Sequence, residues 1–323
     1  MMWQGMSERL ALLELLVRGR LPLRRSQATV WDALAELPWT KRTGRRAELG
    51  INESRRSEIV ELIDRVWPTW DAALAELTSC GLPPTPEGWA ALEDAQRAAA
   101  LPDLPEQLNR RTAAALVAPH SKGRLTKRRL AALGDTELTH DGSVRIRVPK
   151  DVVAQTPRGV LELAPISAML GEVSLPERAL KGGLQLAGAF HAALLVENLG
   201  VFRDLPVLDG WIFAHVPGWD TATTRILLER LAHVPVVHFG DLDPNGVRIF
   251  QHLRRQQPGL RWFVPLFWED FIETRGRPTS WPHDLDLQDA PGLVQRLAKR
   301  GLWLEQEPLA VDARTPAALS AML

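Results

Sequence analysis

Three carboxylates of this 323-residue chain stand where a fold could gather them around a divalent cation. Glu197 ends the apolar run Leu194-Leu-Val, and Asp241 and Asp243 lie within His238-Phe-Gly-Asp-Leu-Asp-Pro-Asn-Gly246. Acids that converge without a cationic partner repel one another and raise each other's pKa, an arrangement that is costly unless a cation neutralises it. All-oxygen ligation suits magnesium or manganese, which keep several waters and engage phosphate oxygens. Asp241 and Asp243 are two apart, so an extended backbone turns both to one face, and Gly246 frees the chain to turn tightly into the next helix. Two other readings compete. The stretch from Asp241 to Gly246 matches the start of an EF-hand loop, but its twelfth position is His252 rather than Glu, and Val247 to Phe250 already forms an apolar helical face, which argues against calcium. Asp243 or Asn245 could instead cap the following helix, which explains one acid and leaves Glu197 unexplained. His238 and His191 read as buried structural histidines.

Such acids need a sheet edge to hold them. From Leu184 onward the pattern alternates: Ala192–Val196 and Trp211–Val216 are short apolar runs, Ala222–Leu231 is an amphipathic helix, Val234–Phe239 a strand, Val247–Arg255 a helix and Arg261–Phe267 a strand. Strands alternating with helices imply right-handed crossovers and a mostly parallel sheet, with ligands at the carboxyl ends of its strands. Glu197, Asp241 and Asp243 are all predicted at such ends.

Residues 1 to about 100 read as helical, with Leu10, Leu13, Leu16 and Val17, then Ile59, Leu62, Ile63, Val66 and Trp67, at helical spacing and Pro68 where a helix stops. Tryptophans 31, 39, 67, 70 and 89 read as core anchors. A helix over Glu106–Val117 and a basic helix over Thr126–Leu133 precede Glu137–Val148, where Asp141-Gly142 between alternating residues signals a β-hairpin. Helix, helix and basic hairpin is the order of a winged helix, with Arg145 and Arg147 on one face of the wing.

The chain carries 39 basic and 39 acidic side chains, but unevenly. Val17 to Arg56 holds ten Lys/Arg, Arg45 and Arg46 among them, against four acids; Leu101 to Lys150 holds ten against five, with Lys122, Arg124, Lys127, Arg128 and Arg129 close together. Basic clusters are either solvated faces or the electrostatic footprint of nucleic-acid binding. No uncharged apolar run reaches roughly 18 residues, which argues against a membrane span. Cys80 is the single cysteine, which excludes an intrachain disulfide and fits a reducing cytoplasm. Tyrosine is absent, so no mechanism here uses a tyrosine nucleophile.

Glu197 after an apolar strand, followed by Gly240-Asp-Leu-Asp-Pro-Asn-Gly246 and a helix, resembles the TOPRIM fold of topoisomerases, primases and OLD-type nucleases. The words resemble something narrower. Val196-Glu197-Asn198, His238 to Ile249 with Leu253-Arg254, and Leu304-Glu305-Gln306-Glu307 are similar to the Wadjet nuclease subunit JetD and its relatives. His120-Ser121-Lys122 with Arg124-Leu125 resembles that family's Ser-Lys turn, with Ala-Pro-His in place of its acidic-glycine lead-in. The likeness runs from about Phe190 to Glu307.

The resemblance implies three domains: a helical arm over 1–104, a winged-helix-like DNA-binding domain over 105–175 and a TOPRIM-like α/β catalytic domain over 176–323. It implies a metal-dependent DNA endonuclease in which water replaces the tyrosine that the architecturally related archaeal type II topoisomerase A subunit uses. Magnesium or manganese, one or two ions, is the expected cofactor. Asp241 and Asp243 would be primary ligands, and Glu197 would hold metal or orient water. Glu305 and Glu307 would either complete a second metal shell or serve as surface salt-bridge partners. Lys122, Arg124, Lys127, Arg128, Arg129, Arg145 and Arg147 would contact double-stranded DNA. Expected partners are an SMC-like ATPase, a kleisin, accessory subunits and a second copy of the chain. The sequence holds no G-x-x-x-x-G-K-[ST] stretch, so no nucleotide cofactor is expected on this chain. The competing expectation is a non-catalytic DNA-binding or assembly subunit on the same fold.

Overall fold

The structure, a computed structural model, describes residues 3–44, 47–219 and 221–323. Arg45 and Arg46 of the basic front window lie outside the described residues. The chain forms two compact units, 1–138 and 139–323.

The first unit is built mainly of helices. Met6–Arg18 buries every residue from Leu10 to Leu16 and ends at Gly19, whose φ of 68° closes the helix in a left-handed cap. Arg56–Val66 stops one residue before Trp67-Pro68, and Trp70–Ser79 and Pro86–Ala99 follow. Trp31 and Trp67 are core residues, with Trp89 edge-on to Trp67 at 5.6 Å, so these tryptophans pack rather than present free faces. Glu14 is fully buried within the first helix and is satisfied by Arg24, 3.0 Å from Nη2 to Oε1. The sequence pattern does not reveal a small antiparallel sheet, in which Glu48–Ile51 lies between Arg20–Pro22 and Thr40–Arg42. Its strands are three or four residues long, too short to show period-two alternation.

The end of this unit departs from the expected Glu106–Val117 helix. Residues Gln107–Asn109 are a strand, and the helix runs Arg110–Val117, started by the Asn109 side chain accepting from the Arg111 N–H at 2.8 Å. Lys127–Ala132 is the second, short helix, capped by Thr126. Ala113, Ala114, Val117, Leu125 and Leu133 form a separate small core.

The second unit is organised by a six-stranded sheet. Its strands are β1 (Ser143–Arg147), β2 (Val173–Pro176), β3 (Ala192–Val196), β4 (Trp211–His215), β5 (Val236–Phe239) and β6 (Arg261–Trp262), in the spatial order β6-β5-β3-β4-β1-β2. β3 to β6 are mutually parallel, while β1 is antiparallel to β4 and β2 to β1. Every residue of β3 and β5 is buried, the signature of parallel strands covered on both faces. Helices α1 (Leu199–Asp204), α2 (Ala222–Arg230) and α3 (Pro244–Gln256) connect the strands. The last strand is shorter than Arg261–Phe267 because Pro265 follows and Leu266–Phe271 turns into a 3₁₀ helix. Among the described residues no helix is long and apolar enough to cross a membrane.

The hairpin expected at Glu137–Val148 does not form. Glu137–Thr139 pairs with Gln107–Asn109, whereas β1 joins the six-stranded sheet between β4 and β2. Asp141 does adopt a turn conformation, with φ of 56°. The turn is tied to buried Glu177, whose carboxylate accepts from the His140 N–H at 2.9 Å and the Gly142 N–H at 3.2 Å. The two flanking segments therefore diverge. Residues 143–147 and 173–175, expected within the 105–175 middle domain, lie in sheet strands of the second unit, since Val144 and Ile146 gain a buried sheet face that a solvated wing could not offer.

Candidate functional site

β3 lies at the centre of the parallel strands, and its carboxyl end delivers Glu197, whose N–H donates to the Phe239 carbonyl at the end of β5 at 3.1 Å. The next residue, Asn198, caps α1 by accepting from the Gly200 and Val201 N–H groups at 2.7 and 3.2 Å. Beyond β5 the chain runs through Gly240 to Asp241. Leu242 is fully buried and bridged antiparallel to Leu304, with N–H to O distances of 3.0 and 3.3 Å. Alternation about the buried Leu242 sets Asp241 and Asp243 on the opposite face of this extended segment. Asp243 then caps α3, its Oδ1 accepting from the Gly246 N–H at 2.6 Å. The capping role weighed from the sequence thus belongs to Asp243.

Gly246 is needed for a different reason from the one its sequence context suggests. It sits within α3 and has no positive φ; a Cβ there would come 2.0 Å from the Asp241 carbonyl oxygen. Close backbone approach, not a special turn, demands glycine.

Sequence reasoning missed Gln306, which ties the site together. It is fully buried. Its side-chain Oε1 accepts from the Asn198 N–H at 3.0 Å, its Nε2 donates to the Phe239 carbonyl at 2.7 Å, and its backbone N–H donates to Asp241 Oδ1 at 2.8 Å. One residue therefore joins the ends of β3 and β5 to one of the acids. Its flanking acids drew notice first because they carry charge, whereas a buried amide has no periodic signature. Glu305 is ion-paired with Arg277 at 2.7 Å, the surface salt-bridge alternative, and Glu307 accepts from the Asn198 Nδ2 at 2.6 Å.

The electrostatics show how crowded this edge is. Burial, with the charges of Asp241 and Asp243 added, pushes the Glu197 carboxyl up to about 7, against the pull of the Asp241 backbone N–H. Burial pushes Asp241 up to about 6; the Gln306 N–H opposes this, and the charges of Asp243, Glu307 and Glu305 reinforce it. Glu197 Oε2 is buried without a hydrogen-bond partner. Among the described residues no three His, Cys, Asp or Glu side chains already form a metal-binding cluster. The donor chemistry nevertheless fits a hard cation: Glu197 has an orphaned carboxylate oxygen, and the charges that act on Glu197 and Asp241 are those of other carboxylates, with no basic side chain to offset them.

The basic residues are placed unevenly. Lys122, Arg124, Lys127 and Arg128 are exposed. Arg129 is not free: it forms a forked pair with Asp94, with Nη2 2.8 Å and Nε 3.0 Å from Oδ1. Arg147 Nη1 donates to the Phe202 and Leu205 carbonyls at 2.7 and 2.6 Å, closing the C-terminal end of α1, and Arg145 pairs with Glu172 at 3.5 Å. Both lie on β1 inside the sheet, so the expected DNA-contacting wing is not where these two arginines are. His238 is fully buried as expected, whereas His191 is exposed just before β3.

No curated protein matches the chain. The family model described as Wadjet protein JetD, C-terminal, matches residues 158–264, a segment that contains Glu197, Asp241 and Asp243 and spans β3 to β6. That segment, at the centre of the second unit, is thus similar to the C-terminal part of the Wadjet protein JetD.

Proposed function

We propose that this chain is the DNA-cleaving subunit of a Wadjet plasmid-restriction system, a divalent-metal-dependent endonuclease on a TOPRIM-like fold. The observation that carries the reading is the mutual repulsion of Glu197, Asp241 and Asp243 at the carboxyl edge of a parallel sheet, with Glu197 Oε2 buried and unpartnered. Parallel α/β sheets bind ligands at this edge. A buried anion without a partner persists where a cation compensates it.

In this reading Glu197, Asp241 and the uncapped oxygen of Asp243 hold one or two magnesium or manganese ions. Bound metal would supply Lewis-acid polarisation of the scissile phosphate and lower the pKa of attacking water. The protein's own part is orientation. Gln306 holds Asp241 in place, Asp243 is aimed by the first turn of α3, and Glu197 is delivered by a fully buried central strand. With no tyrosine in the chain, water is the nucleophile and no covalent protein–DNA intermediate forms.

Lys122, Arg124, Lys127 and Arg128 supply phosphate contacts to double-stranded DNA. They belong to the order helix Pro86–Ala99, strand, helix, helix, strand, which supports a winged-helix-like module with its wing strand absent. An SMC-like ATPase with kleisin and accessory subunits would supply ATP hydrolysis, and two copies of this chain would cut both strands. Residence in the cytoplasm belongs to the same proposal. A second reading, an assembly subunit without catalysis, is favoured by Asp243 already serving as a helix cap and by the lack of a closed acid cluster among the described residues. Incubating the purified protein with supercoiled plasmid in magnesium, manganese or EDTA separates the two. Metal-dependent nicked or linear product supports the nuclease; unchanged plasmid in every condition, with and without partner subunits, supports the assembly role.

A further inference from the structure

The middle of β5 carries a residue that the site as described does not use. Its sequence is Val236-Val-His-Phe239, and every residue is buried. His238 is fully buried, packed against Phe250 and Trp262 with ring centroids 5.9 and 6.3 Å away, and neither ring nitrogen has a hydrogen-bond partner. A polar ring with both nitrogens orphaned is destabilising in such a place, where a phenyl ring would pack as well.

The adjacent glycine explains what the ring faces. Gly240 has no positive φ, so its backbone conformation does not require glycine. A Cβ on it would lie 2.6 Å from His238 Nε2 and 2.6 Å from Glu197 Oε2. The one orphaned carboxylate oxygen of the site and an orphaned imidazole nitrogen thus approach the same point, and only the bare Cα of Gly240 leaves it open. Burial keeps the imidazole neutral, its pKa driven down to about 3, and a neutral ring carries one N–H to donate.

We infer that His238 is the positioning residue of this site: across the Cβ-less face of Gly240 its Nε2–H and the orphaned Glu197 Oε2 face one point, and a small side-chain rotation closes a hydrogen bond from the ring to the carboxylate that sets the direction in which Glu197 presents its other oxygen. The consequence for metal binding rests on the functional reading above, whereas the pairing itself does not. Outer partners that orient ligating groups typically change metal affinity about 10–100-fold when removed.

The full-length protein labelled with ¹⁵N-histidine and freed of metal tests the pairing directly. The His238 resonances are assigned among the eight histidines by their loss in His238→Phe. The wild type should show a neutral ring protonated at Nε2, and that nitrogen's shift should move in both Glu197→Gln and Gly240→Ala. An unmoved shift in both variants, or protonation at Nδ1, overturns the pairing. Manganese titration then tests the consequence. His238→Phe should melt within a few degrees of wild type and bind manganese about 10-fold or more weakly, with partial recovery in His238→Gln. Wild-type affinity in a folded His238→Phe overturns the positioning role. Absence of manganese binding by the wild type would refute the functional reading instead, leaving the nitrogen shifts to judge the pairing.

Discussion

Asp241 and Gln306, 65 residues apart in the chain, meet in one hydrogen bond of 2.8 Å from the Gln306 N–H to Asp241 Oδ1. That bond makes the segment after the last long helix part of the same edge as the strand-end acids. Replacing Gln306 with Leu should leave the Asn198 N–H without its acceptor at a cost of about 1–3 kcal/mol. Thermal denaturation should show a drop of several degrees, and any cleavage activity should fall with it. An unchanged melting temperature would show that the strut carries no stability.

Asp241→Asn keeps an oxygen to accept from Gln306, and Glu197→Gln keeps the shape of its side chain. Both should abolish metal-dependent cleavage while leaving the metal-free fold as stable as wild type or more so, because each removes one of several mutually repelling charges. Plasmid cleavage at the wild-type rate by either variant would exclude these acids as ligands.

The raised carboxyl groups set a pH dependence of stability. Glu197 and Asp241 have ordinary values of 4.5 and 3.8 and are pushed to about 7 and about 6. A group raised on folding adds stability that is complete below its ordinary value and lost as pH rises through the raised one. The metal-free protein should therefore melt lower at pH 8 than at pH 5, with a slope that flattens in Glu197→Gln. Magnesium should recover the loss at pH 8. A slope identical in wild type and variant, measured in EDTA, would refute the assignment.

Neutralising Lys122, Arg124, Lys127 and Arg128 together should weaken binding to all duplex sequences alike. The slope of log affinity against log salt should flatten by about 3–4, at roughly 0.9 for each phosphate that no longer meets a cation. Arg129→Ala should behave differently and lower the melting temperature, since its guanidinium is held by Asp94. An unchanged salt slope in the four-residue variant returns the cluster to an ordinary solvated face.

Denaturing a cleavage reaction midway should leave free DNA ends with no protein attached. Ser121 beside Lys122 is the substitute nucleophile that the sequence offers in the tyrosine's stead. A covalent adduct that disappears in Ser121→Ala would overturn hydrolysis by water while leaving the fold unaffected.

Much of the second unit was legible in the residues alone. The apolar run Ala192–Val196 is a strand with the predicted limits, and Trp211–His215, Ala222–Arg230 and Pro244–Gln256 fall within a few residues of their patterns. Local periodicity and turn chemistry act over a few residues, so the sequence shows them directly. By the same logic it placed Glu197, Asp241 and Asp243 at strand ends and excluded a tyrosine nucleophile. What it could not show was which distant segment each element would join. Asp141-Gly142 has the chemistry of a hairpin turn, but Glu177 accepts from the His140 and Gly142 amides and the following strand gains more buried surface in the six-stranded sheet. Arg129 and Arg147 looked like free cations until Asp94 and the carbonyls of Phe202 and Leu205 took their donors. Gln306 carries no local signal, yet it reaches Asn198 across 108 residues of chain. Sequence neighbours encode the type of each element and the chemistry at its ends; partners are chosen by burial and hydrogen-bond satisfaction across the folded unit, which only the tertiary structure decides.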